Sequence, residues 1–262
     1  MGLVKRFIAL LAISACLVAQ AEDSKIGVVV MHGKGGTPTK FVSGLASSLE
    51  HSGFLVANLE MPWSGRRDYD VDISSAEQEV STAIAVLQKN GARKVFLAGH
   101  SLGGLFAFYF GGKHHVDGII AIAPGGDTSN TALREKIADS IERAHSLVND
   151  GKGREKTRFS DYENSKGLYN IFTTPVAYLS WFDPDGAMNE TQEIKSISPE
   201  TPVLFIGPTN DYPFLIRTKA SMFGLLAKNP LTKLYEPDSN HLGAPSASIT
   251  EIQTWINAVS KP

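Results

Sequence analysis

The sequence alternates between short, almost unbroken apolar runs and longer stretches in which apolar residues recur every three or four positions. Runs of the first kind are too short for helices and rich in Val, Ile, Leu and Phe, the composition of strands buried on both faces. They fall at Lys25–Met31 (KIGVVVM), 53–59, 95–98 (VFLA), 116–123 (VDGIIAIA) and 201–207 (TPVLFIG), and a last strand is expected at 231–235. Helical periodicity fills the gaps between them. Phe41, Leu45 and Leu49 share one face of a helix that Thr37 or Thr39 caps and that ends near His51. Ala76, Val80, Ile84 and Leu87 mark a helix over 74–90, with Gly91 as its stop. Residues 102–110 are apolar throughout, and further helices are predicted over 212–228 and 246–259. Strands alternating with helices predict a mostly parallel sheet with helices on both faces. No period repeats along the chain, which excludes a solenoid.

The alternation stops over residues 127–199. This stretch holds a helical pattern at 131–148, a polar loop at 149–167, and the apolar, aromatic piece TPVAYLSWF at 174–182, closed by Asp183-Pro184-Asp185-Gly186. Tyr178, Leu179, Trp181 and Phe182 are too many large apolar side chains for an exposed loop. They must either pack into the core or roof a pocket, and the turn that ends the segment favours the core for Trp181.

Composition narrows the class. A chain of 262 residues suits one domain, and a net charge of −2 argues against a nucleic-acid partner. At the N-terminus, Lys5 and Arg6 precede the apolar stretch 7–18, which runs into Ala19-Gln20-Ala21. This predicts a signal peptide over residues 1–21 and a mature domain over 22–262, secreted or periplasmic; the apolar stretch is short of the roughly 20 residues that would span a bilayer. The alternative is a lipoprotein signal, Ile13-Ser14-Ala15-Cys16, which would leave Cys16 as a lipid anchor. Cys16 is the single cysteine, so cysteine catalysis and thiolate metal sites are excluded from the mature chain. Neither HExxH nor GxGxxG occurs, and no metal or cofactor is expected.

The chemistry concentrates at 94–110, KVFLAGHSLGGLFAFYF. Gly99-His100-Ser101-Leu102-Gly103 is GxSxG between a predicted strand and a predicted helix, a nucleophile elbow. So sharp a turn strains the backbone of Ser101, and it closes only if Gly99 and Gly103 lack a Cβ. The strain lifts the serine hydroxyl clear of the sheet, while the Leu102 N–H, at the first turn of the helix, points where an oxyanion would form.

GHSLGG after this strand resembles the α/β-hydrolase superfamily, and the resemblance extends from about Lys25 to the C-terminus. It implies the α/β-hydrolase fold, with the insertion at 127–199 as a small helical cap over Ser101. It also implies roles for further residues. His32-Gly33 at the end of the first strand would introduce a second oxyanion donor, the N–H of Lys34 or, as alternative, of Gly35, with His32 structural. Asp211, four residues past the strand 201–207, stands where the superfamily carries its triad acid, and His241, in the loop after the last strand, where it carries its base. Asp238 is the competing acid, nearer to His241 in sequence. The chain order Ser101, Asp211, His241 is the superfamily's order. The implied activity is an exported serine hydrolase acting on small-molecule carboxylic esters through an acyl-enzyme, with an amide or peptide hydrolase and a non-catalytic binding protein as alternatives. Trp63, Arg66 and Arg67 lie beyond a strand end where such sheets place ligands, although an exposed basic pair is more commonly only solvated.

Overall fold

The computed structural model describes residues 25–163, 166–184 and 186–261. The predicted signal peptide and lipobox lie outside the described residues. Numbered in chain order, the strands are β1 (Lys25–Met31), β2 (Leu55–Leu59), β3 (Ala92–His100), β4 (Gly118–Ile122), β5 (Thr157–Glu163), β6 (Gly167–Thr173), β7 (Val203–Ile206) and β8 (Lys233–Tyr235). The helices are α1 (Ser43–His51), α2 (Ile73–Lys89), α3 (Leu102–Gly111), α4 (Thr131–Asn149), α5 (Pro175–Phe182), α6 (Glu190–Ser196), α7 (Pro213–Phe223), α8 (Ala244–Ala247) and α9 (Ile249–Ser260).

All six predicted strands join one sheet in the order β2-β1-β3-β4-β7-β8, every neighbouring pair parallel. Alternation along β1 explains why its run is unbroken. Val29 and Met31 face the core shared with α2 and α3, while Val28 and Val30 face a second core with Leu45, Leu49 and Trp255 from α1 and α9. A strand with helices on both faces has no side that water can wet. The chain leaves β1 toward one edge of the sheet and β3 toward the other. Their C-terminal ends therefore border the crevice where an open parallel sheet accepts ligands, and Lys34 and Ser101 follow those two ends.

Three expectations are corrected. Phe41 does not belong to the first helix: α1 starts at Ser43 with no side-chain cap from Thr37 or Thr39, and Phe41 is exposed with a left-handed φ of 64°. The polar loop 149–167 contains β5, which pairs with β6 as an antiparallel hairpin from Thr157↔Thr173 to Glu163↔Gly167. The insertion is thus a hairpin accompanied by three helices, α4, α5 and α6, rather than a purely helical cap. Finally, Arg66 and Arg67 form ion pairs with Glu60 and with Asp70 and Glu79 respectively, and Trp63 is buried. Glu60 and Asp70 from the same segment and Glu79 from α2 thus neutralise this basic pair.

The aromatic piece over 174–182 becomes α5, with Thr174 capping the Ala177 N–H and Pro175 at the first turn, where its missing N–H costs nothing. Tyr178, Trp181 and Phe182 are buried. Trp181 sits among Trp63, Phe106 and Tyr69 and donates its Nε1–H to the Val71 carbonyl at 2.8 Å.

Candidate active site

The turn from β3 into α3 is as tight as its sequence demands. Ser101 has φ 55° and ψ −118°, a strained combination for a residue with a Cβ. A Cβ on Gly99 would run into the Gly103 carbonyl, and one on Gly103 would come within 2.7 Å of the Met31 carbonyl. The two glycines therefore let α3 start directly over the ends of β3 and β1. Ser101 N–H is held by the Ile122 carbonyl of the neighbouring strand at 2.8 Å, which fixes the serine's position relative to the sheet.

The loops after β7 and β8 are tied together by a parallel bridge between Asn210 and Asn240. This brings Asp211 and His241 to the same sheet edge as Ser101. His241 Nε2 lies 3.0 Å from Ser101 Oγ, and His241 Nδ1 lies 2.7 Å from Asp211 Oδ1. The carboxylate also accepts the Tyr212 N–H at 2.7 Å, and the Tyr212 ring packs on His241 at 4.6 Å. Asp238 faces elsewhere, accepting from Asn210 Nδ2 at 3.0 Å.

Two other histidines hold the site in shape. His100 donates Nε2–H to the His241 carbonyl at 2.9 Å; complete burial and the neighbouring His241 ring push its pKa down to about 3, so it stays neutral. His32 donates Nδ1–H to the Gly33 carbonyl at 2.8 Å and accepts the Met61 N–H at Nε2, at 3.0 Å. Burial lowers its pKa as well, and both ring nitrogens are committed. Trp63 completes the support, donating Nε1–H to the His32 carbonyl and accepting the Gly35 N–H on its own carbonyl, at 2.7 and 2.8 Å.

That last bond separates the two oxyanion candidates after β1. Gly35 N–H is occupied. Among the described residues, the N–H groups of Lys34 and Leu102 have no acceptor. Ser101, His241, Lys34 and Leu102 all line one open cleft of about 580 Å³. The insertion supplies another wall through Leu133, Tyr162 and Glu190, whereas Trp181 lies outside it. Glu190 is 3% exposed, and burial together with the nearby Asp127 raises its carboxyl to about 8. Among the described residues no three His, Cys, Asp or Glu side chains are grouped to hold a metal ion, and no helix is long and apolar enough to cross a membrane.

Three residues at this site were not anticipated from the sequence: Tyr212, Glu190 and Asp161, a buried aspartate in β5 that holds the Lys34 ammonium at 2.7 Å. The signal for Asp161 is weak: on its face of β5 only Phe159 is apolar, set between the polar Arg158 and Ser160. Glu190 and Tyr212 carry no such signal, since their burial comes from segments distant in sequence.

The family model described as serine aminopeptidase, S33, matches residues 22–164, a span holding Lys34 and Ser101 but neither Asp211 nor His241. Among solved structures, the chain is similar to the monoacylglycerol lipase of Paleococcus ferrophilus, at 20% identity and a TM-score of 0.63, covering 89% of this chain and 95% of that one. It is also similar to the α/β-hydrolase GrgF from Penicillium sp. sh18, at 14% identity and a TM-score of 0.67, covering 90% of each chain. A third likeness is to one of the metagenome-derived lipolytic enzymes LipS and LipT, at 17% identity and a TM-score of 0.62, covering 90% of this chain and 94% of that one. No curated protein matches the sequence. At such identities the likeness to the solved structures is one of fold, and it extends over nearly the whole length of each.

Proposed function

The chain belongs to the S33 serine aminopeptidase family of α/β-hydrolases, and from that premise we propose that it cleaves carboxylic esters through an acyl-enzyme on Ser101. The observation that carries this reading is the continuous line of hydrogen bonds from Ser101 Oγ through His241 to Asp211, opening on a cleft large enough for a small ester. A serine hydroxyl is a weak nucleophile at neutral pH and needs a base within reach and a third group to orient that base. His241 Nε2 takes the Ser101 proton as Oγ attacks the ester carbonyl. Asp211, bound at Nδ1, holds the tautomer that leaves Nε2 free to accept and stabilises the imidazolium that forms. The tetrahedral oxyanion is received by the N–H groups of Lys34 and Leu102, each worth about 3 to 4 kcal/mol in the transition state. Collapse expels the alcohol, which takes the proton from His241; water then repeats the sequence and frees the acid.

The family's description favours one second reading, hydrolysis of an amide, with the same residues in the same roles. A panel of p-nitrophenyl esters and aminoacyl p-nitroanilides, with a fluorophosphonate label on the wild type and on Ser101→Ala, tests both. The ester reading expects turnover of short esters well above that of anilides, and a label that Ser101→Ala abolishes. Faster anilide hydrolysis would replace it with the amide reading, and an unlabelled wild type would make the protein a non-catalytic binder. The proposal includes export: cleavage after Ala21 leaves Glu22 as the first residue. Intact mass of the exported protein checks this, and a diacylglyceryl group on Cys16 would substitute a membrane-tethered form.

A further inference from the structure

We infer that Asp161, in the inserted hairpin, is a positioning residue for the oxyanion loop and acts through the side chain of Lys34. The inference rests on the hydrolase reading above and concerns what holds one of its two oxyanion donors in place.

The loop after β1 reads Gly33-Lys34-Gly35-Gly36. Three of its four residues have no side chain, so the backbone's intrinsic freedom there is high. The Gly33 carbonyl is held by His32 and by the Gly36 N–H, and the Gly35 N–H by the Trp63 carbonyl, but of these four residues Lys34 is the one whose own side chain ties the loop to another segment. Its ammonium donates to Asp161 Oδ1 at 2.7 Å and to the Tyr162 carbonyl at 3.3 Å, and lies 5.3 Å from the centre of the Phe182 ring. All three partners belong to the insertion. Asp161 has no exposed surface and is itself fixed at both oxygens: Oδ1 accepts the Tyr162 N–H at 2.6 Å, while Oδ2 accepts the Tyr169 hydroxyl at 2.6 Å and the Tyr69 hydroxyl at 3.4 Å. The carboxylate thus spans both hairpin strands and the loop before α2. The same hairpin reaches the neighbouring glycine, since a Cβ on Gly35 would come within 2.6 Å of Lys166 Nζ.

An ion pair this deep in the protein is a poor source of net stability, because desolvating two charges offsets most of their attraction. It is well suited to registering one element against another. The donor N–H of Lys34 must sit about 3 Å from an oxygen that becomes an anion only in the transition state, and misplacement by about 1 Å can cost a hundredfold in rate. The Lys34–Asp161 bond sets that distance by clamping the side chain of the residue whose backbone does the work. The insertion then has a role in the chemistry besides shaping the cleft.

The test compares Asp161→Asn, Lys34→Met and Lys34→Arg with the wild type on a p-nitrophenyl ester and on a trifluoromethyl ketone, which forms the tetrahedral oxyanion on a working serine. Asp161→Asn and Lys34→Met should each lower kcat about tenfold to a hundredfold, with KM changed by less than about threefold. The ketone's inhibition constant should rise by the same factor as kcat/KM falls, because both report the oxyanion. The double variant should be no worse than the poorer single one, and Lys34→Arg, which keeps the charge, should recover most of the rate. A loss confined to KM, or lowered melting with kcat and ketone affinity unchanged in the folded protein, would overturn the inference. If Asp161→Asn does not fold, Lys34→Met carries the same comparison. Absence of ester turnover and of serine labelling in the wild type would defeat the hydrolase reading instead. Hydrogen exchange still judges the anchor in that case: the Gly35 N–H should exchange about tenfold faster in Lys34→Met, and equal rates would refute it.

Discussion

Replacing Trp181 by alanine decides whether the insertion's aromatic segment serves the core or the cleft. The indole is 2% exposed and packed edge or tilted against Trp63, Tyr69 and Phe106, with ring centres 5.6 to 5.8 Å away. Truncating a buried tryptophan costs about 3 to 5 kcal/mol, because transfer free energy is lost and the neighbours relax only partly into the hole. The Val71 carbonyl also loses its donor, which adds about 1 kcal/mol if no water reaches it. For a domain of this size each kcal/mol shifts melting by roughly 2 to 4 °C, so Trp181→Ala should melt roughly 10 to 20 °C lower. Because the side chain does not line the cleft, preference among acyl chain lengths should be unchanged in the protein that remains folded. Thermal melting paired with a chain-length profile measures both. An unmoved melting temperature with a shifted chain-length optimum would refute the core assignment and make Trp181 part of the pocket roof.

His241→Ala should reduce turnover nearly as far as Ser101→Ala, by about a millionfold, and the double variant should be little worse, since base and nucleophile act as a unit; additive losses would reduce His241 to a loop support. Asp211→Asn should lower kcat by about ten thousandfold by presenting the wrong tautomer, while Asp238→Asn, whose carboxylate accepts from Asn210 and Thr209 and does not reach His241, should stay within a few-fold of wild type in the same steady-state assay. Glu190 predicts a pH dependence of stability. Its carboxyl titrates near 4.5 when unfolded but at about 8 in the fold, so the folded protein keeps a proton that the unfolded chain gives up. The contribution of Glu190 to stability is therefore full below pH 4.5, falls by about 1.4 kcal/mol per pH unit up to about pH 8, and is level above. Glu190→Gln should flatten that slope in urea titrations from pH 5 to 9, and an identical slope in the variant would show that another group is responsible.

What the sequence determined by itself is the local part of this protein. Five apolar runs sufficed to locate β1, β2, β3, β4 and β7, because a strand covered on both faces admits few polar residues; β8, at the edge of the sheet with Lys233 exposed, carries no such run. Gly99-His100-Ser101-Leu102-Gly103 was equally legible, since the steric demand of the turn is met within five residues and does not depend on what surrounds it. Asp211 and His241 were found by their positions after β7 and β8, where the resemblance to α/β-hydrolases applied.

The tertiary structure alone decided what depends on segments far apart in the chain. Whether Asp211 or Asp238 meets His241 turns on the bridge between Asn210 and Asn240, which no local pattern encodes. Lys34 rather than Gly35 keeps a free N–H because Trp63, from the loop after β2, takes the other. β5 read as part of a loop because its outward Arg158 and Ser160 are polar and its buried residues include a charge, Asp161. Asp161 is tolerable at zero exposure only with Lys34, Tyr69 and Tyr169 gathered around it. A buried charge is thus explained by its partners, and those partners, separated by up to 127 positions in sequence, become neighbours only once the chain has folded.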